Sequence, residues 1–75
     1  MTNLNSDKHV IDPDGVEIKV AWDLFKIGSS VFIPCINTAR AKKQVRKITD
    51  NMGYDVKMTA RAENHKWGVR IWRTL

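Results

Sequence analysis

The closing run Trp67-Gly68-Val69-Arg70-Ile71-Trp72-Arg73 places two tryptophans and two arginines within seven residues, and a second basic cluster, Arg40, Lys42, Lys43, Arg46 and Lys47, precedes it. Indole rings stack on bases, and guanidinium and ammonium groups neutralise phosphates. These residue types together therefore point to holding a nucleic acid. The charge is polarised along the chain. From Asn37 onward ten Lys or Arg face only Asp50, Asp55 and Glu63, whereas residues 1–36 carry three lysines against five carboxylates. A basic half interleaved with aromatics suits a phosphate-rich partner.

Residues suited to bond-making chemistry are sparse. Gly28-Ser29-Ser30 lacks the Gly-x-Ser-x-Gly elbow of a serine nucleophile, and its hydroxyls suit a turn. Cys35 and His65 fall in separate elements without an orienting third group, and Cys35 beside Pro34 reads as a small buried residue. His9 and His65 with one cysteine do not have zinc-ligand spacing, and Asp12, Asp14 and Glu17 do not match the twelve-residue calcium loop. The expectation is a non-enzymatic protein with no metal and no cofactor.

The elements that must position these side chains follow from periodicity. Residues 1–14 are polar, lack a period and end in the turn-forming Asp12-Pro13-Asp14-Gly15, so they read as a flexible tail before one domain at 15–75. Val16, Ile18, Val20 and Trp22 alternate with polar residues as in a half-buried strand. Val31-Phe32-Ile33, stopped by Pro34, reads as a second, more buried strand. Asn37 or Thr38 can cap a helix over 39–52, and Gly53 suits the left-handed residue that ends it. At 100° per residue Ala41, Val45, Ile48 and Met52 form one stripe, with the basic residues opposite. Residues 54–62 and 67–72 alternate as two further strands joined by the polar Glu63-Asn64-His65-Lys66. The result is an α+β domain of ββαββ order, a small antiparallel sheet with one helix packed on one face.

The pleat then sorts the charges. With Val56, Met58, Val69 and Ile71 beneath the helix, Lys57, Thr59, Arg61, Arg70 and Trp72 share the opposite face. Lys57, Arg61, Arg70, Trp72 and Arg73 are thus the candidate binding residues of the sheet, and Arg40, Lys43 and Lys47 those of the helix. The competing reading packs Trp72 against the N-terminal segment and leaves the arginines as solubilising charges. On the helix, cations in the first turns oppose the positive end of the dipole, which suggests an anionic partner there, although a solvated charged face is the ordinary reading of such a run.

The segment Gly28-Ser29-Ser30-Val31-Phe32-Ile33-Pro34, the basic helix and the closing Gly68-Val69-Arg70-Ile71-Trp72-Arg73 resemble small uncharacterised bacteriophage-encoded proteins. In these a G-[DS]-S-x-F-x-P segment precedes a helix and the chain closes in a strand like R-[VI]-W-R. The resemblance covers roughly residues 22–74 and has Ser29 where the commoner form has Asp. It implies a phage protein acting in a bacterial cytoplasm, and it supplies no catalytic residues.

At 75 residues the chain buries only roughly 60–65% of its unfolded surface, so function is expected on a surface and not in a deep cavity. One cysteine forms no internal disulfide, which fits a reducing compartment. No apolar run approaches the ~20 residues that span a bilayer, and the N-terminal residues lack the pattern of an export signal. The expected function is electrostatic binding of nucleic acid, DNA before RNA, with stacking on tryptophan. The alternative is a phage interaction module whose basic, Trp/Arg-rich surface engages an acidic host enzyme or defence protein. Open sheet edges leave a homodimer open to either reading.

Overall fold

The computed structural model describes residues 10–75. Its described elements are β1 (Val10–Ile11), β2 (Ile18–Lys19), a single 3-10 turn (Trp22–Leu24), β3 (Ser30–Pro34), helix α1 (Thr38–Met52), β4 (Val56–Glu63) and β5 (Lys66–Arg73). The strands form two small antiparallel sheets, the hairpin β1-β2 and a three-stranded sheet of order β3-β5-β4, and with the single helix they make the α+β fold.

Helix α1 begins and ends as its local chemistry dictates. The Asn37 side-chain oxygen accepts from the Arg40 backbone N–H at 3.1 Å, and Gly53 takes the left-handed conformation at φ 76°. Ala41, Val45 and Ile48 are buried on the packing stripe. Thr49 is buried beside them, and its hydroxyl is satisfied by donating to the Val45 carbonyl at 3.0 Å. This face covers Ile33, Val69 and Ile71 of the sheet, and Ile11, Trp22 and Phe25 close the core.

Three features differ from the periodic reading. Val10–Ile11 is a strand, with Ile11 only 1% exposed, so the ordered domain starts before residue 15. The part of the expected tail at residues 1–9 lies outside the described residues. The Val16–Trp22 alternation yields only two strand residues. Val16 sits in the hairpin loop, and the Trp22 N–H donates to Val20 at 2.9 Å to start the 3-10 turn. That turn drives the indole inward, fully buried, where it meets the Phe25 ring edge-on at 5.6 Å. The four-residue connection at 63–66 tightens to Asn64-His65, both at positive φ, with Glu63 and Lys66 paired as the last rung of the ladder.

Candidate nucleic-acid interface

Strand register assigns each side chain of the sheet to a face, because directly opposed residues of antiparallel strands point the same way. Ile71 is flanked by Val31 and Met58, and Val69 by Ile33 and Ala60, all toward the helix. Trp72 is flanked by Ser30 and Lys57, Arg70 by Phe32 and Thr59, and Gly68 by Pro34 and Arg61, all on the far side. Lys57, Arg61, Arg70 and Trp72 therefore lie together, as expected. Among the described residues no helix covers this face, since α1 and β1 pack with each other on the opposite side. The segment containing residues 10–14 is tied to the helix by Asp12. Its N–H donates to Gln44 at 2.9 Å, and its carboxylate accepts from the Gln44 amide at 2.7 Å.

Two of the expected arginines are engaged within the chain. Arg70 clamps Glu63 in a two-pronged ion pair, with its Nε 2.9 Å from one carboxylate oxygen and Nη2 on the other, and donates through Nη1 to the Ser30 hydroxyl at 3.1 Å. The pair holds the Glu63 carboxyl below its ordinary range and raises the Arg70 guanidinium, first through the shared hydrogen bond. Arg73 falls in register with Val56 on the helix side of the sheet. Its guanidinium carbon lies 3.5 Å from the centre of the Tyr54 ring, and its nitrogens donate to the carbonyls of Phe25 at 2.7 Å and Leu75 at 3.0 Å. Arg73 is thus a latch between the end of β5 and the loop after Trp22, with its guanidinium engaged within the chain, and it still borders the groove that Trp72 and Lys57 line.

Lys57 and Arg61 are exposed on the open face. Arg61 has one loose contact, Nε to Glu63 at 3.3 Å, and Lys57 has no ion pair among the described residues. Two residues absent from the expected set join them. Lys66 extends the basic row from the last rung, and Phe32 adds a second, half-buried aromatic ring. Phe32 reads as core from composition, yet its parity opposite to buried Ile33 assigns it to the outer face. The three strands thus present four cations and one carboxylate here. Trp72 and Lys57 line a groove with Thr59, Arg73 and Thr74, rimmed by Ile27 and Gly28.

The helix residues are on the other side of the layer. Arg40 lies 3.7 Å from the Asp12 carboxylate, while Lys42, Lys43, Arg46 and Lys47 line an open groove with Asp50 and Met58. The anion expected near the helix N-terminus is supplied by the chain itself. The two carboxylate oxygens of Asp14 accept from the N–H groups of Ile36 and Asn37, each at 2.8 Å, which lowers the Asp14 pKa.

Cys35 is buried, and desolvation, with the negative charge of Asp14, raises its thiol pKa, the opposite of an activated nucleophile. No group of three or more His, Cys, Asp or Glu is placed to hold a metal ion among the described residues, and none of their helices is long and apolar enough to cross a membrane. No protein-family model, curated protein or solved structure matches the chain.

Proposed function

We propose that the protein binds single-stranded nucleic acid, DNA before RNA, on the open face of the three-stranded sheet. The observation that carries this reading is the shared outward parity of Trp72 and Phe32 with Lys57, Arg61 and Lys66 on a face that no described helix covers. Trp72 and Phe32 are diagonal neighbours on adjacent strands, roughly 7–8 Å apart by strand geometry, so Trp72 would take the stacked base and Phe32 would extend the apolar surface beside it. The cations along β4 and at the start of β5 would follow the phosphates beside them. Arg70, clamped to Glu63 and 5.5 Å from the Phe32 ring centre, holds that ring in place and is not a free phosphate ligand. In keeping with the phage resemblance, the protein would act in the cytoplasm of a bacterial host.

Stacking contributes on the order of 1–3 kcal/mol per base, so Trp72→Ala should weaken single-strand binding roughly tenfold or more and leave duplex binding nearly unchanged. Fluorescence anisotropy with labelled single-stranded and duplex DNA over a salt series reads both. Equal losses on the two ligands would overturn the stacking surface. No binding to either at low salt would overturn the whole reading and transfer the basic surface to an acidic protein partner.

A further inference from the structure

We infer that the helix carries a second phosphate-binding groove, so that one chain holds a single strand on its sheet face and a duplex on its helix at the same time. Lys42, Lys43, Arg46 and Lys47 come from neighbouring turns of α1 and line an open groove floored by Met58, with Asp50 the one acid in the lining. Among the described residues none of these four cations makes an ion pair, in contrast to Arg40 beside Asp12 and Arg70 on Glu63. Lys42 with Arg46, and Lys43 with Lys47, stand at i, i+4, a spacing at which like charges repel each other along a helix. From Lys42 to Lys47 the helix rises about 7.5 Å, which makes the stripe a short rail of positive charge and not a point site.

The lining of this groove selects the ligand class. It has no aromatic ring on which a base could stack, and its ammonium and guanidinium groups, with the single Asp50 carboxylate, surround a thioether on an open surface where phosphates are the first groups they meet. Such a surface recognises the phosphodiester backbone without regard to base exposure, and a duplex, with the denser phosphates, is its best occupant. The two grooves are held apart by β4 itself. Met58 faces the helix groove, while its neighbours Lys57 and Thr59 line the groove beside Trp72. A short ligand in one therefore leaves the other open. The joint occupancy rests on the sheet-face reading above, but the helix groove does not.

The test mixes a donor-labelled oligothymidylate with an acceptor-labelled G·C hairpin duplex, which cannot pair with it, and adds the full chain at low salt. Energy transfer between the two should appear only with protein. It should be lost in the combined variant Lys43→Gln, Arg46→Gln, Lys47→Gln, whose exposed helix-tolerant replacements leave the core untouched. That variant should also lose about 0.9 from the duplex salt slope per cation removed, while anisotropy on the oligothymidylate stays within about twofold. Competition between the two ligands without energy transfer, or full duplex affinity in the triple variant, would overturn the second groove. If Trp72→Ala leaves oligothymidylate binding intact while the triple variant loses the duplex, the sheet-face reading fails and the helix groove stands.

Discussion

Gly68 is buried in the middle of the open face, and a Cβ built on it would lie 2.8 Å from both the Phe32 ring and the Pro34 Cα, with the Ile33 carbonyl oxygen closer still. The Phe32 ring therefore occupies the space a side chain at 68 would need, and the edge strand β3 is drawn tight against β5. Two of those contacts are backbone and cannot swing aside, so Gly68→Ala should cost roughly 1–3 kcal/mol of stability by urea denaturation and should weaken single-strand binding by displacing Phe32. Unchanged stability would mean that β3 shifts freely. On the same face Lys57 and Arg70 should separate binding from folding. Lys57→Ala should leave the denaturation midpoint in place and reduce the single-strand salt slope by about 0.7. Arg70→Ala should lower the midpoint, because it leaves Glu63 with only the looser contact to Arg61.

At the scale of elements, the N-terminus of α1 shows how the chain accommodates cations where a helix prefers acids. No carboxylate lies in the first turn; the negative charge arrives from the β1–β2 loop, through Asp14 on the amides of Ile36 and Asn37 and Asp12 near Arg40. The resulting pH dependence has a definite sign. The folded-state pKa of Asp14 is depressed by these backbone hydrogen bonds, and that of Glu63 first by its hydrogen bond to Arg70. In acid the unfolded chain therefore binds more protons than the folded one. Their contribution is complete above the ordinary carboxylate values of 3.8 and 4.5 and is lost as pH falls through the depressed folded values. The urea midpoint should accordingly drop on acidification from about pH 6 toward pH 3, and Asp14→Asn should both lower the neutral-pH midpoint and flatten part of that drop. A midpoint independent of pH would contradict the capping role.

For the whole molecule, the two halves of the chain divide the work. The half before Asn37 contributes Ile11, Trp22, Phe25, Ile33 and Cys35 to the core and the carboxylates that steady the helix, while the later half provides both basic surfaces. The small hairpin thus belongs to the fold. Ile11→Ala should cost roughly 2–5 kcal/mol, a value typical of truncating a buried aliphatic side chain and a large share of the stability of a domain this size. Thermal or urea unfolding followed by circular dichroism reads it, and a cost near zero would return Ile11 to a dispensable tail.

Local rules made part of this legible before any contact was known. Cap chemistry and the 3.6-residue period delimit the helix to within one residue of Thr38–Met52, and the two-residue period of the last two strands assigns Lys57, Arg61, Arg70 and Trp72 to one face. Both depend only on neighbours a few positions apart. Which cations remain available to a ligand was decided elsewhere, by partners the chain brings from far along its length. Arg73 donates to a carbonyl 48 residues away, Arg70 to a hydroxyl 40 away, and Asp12 meets Gln44 across 32. The inward turn of Trp22 and the burial of Ile11 are of the same kind. A period shows which way a side chain points; whether another group is already there to meet it depends on how the layers close.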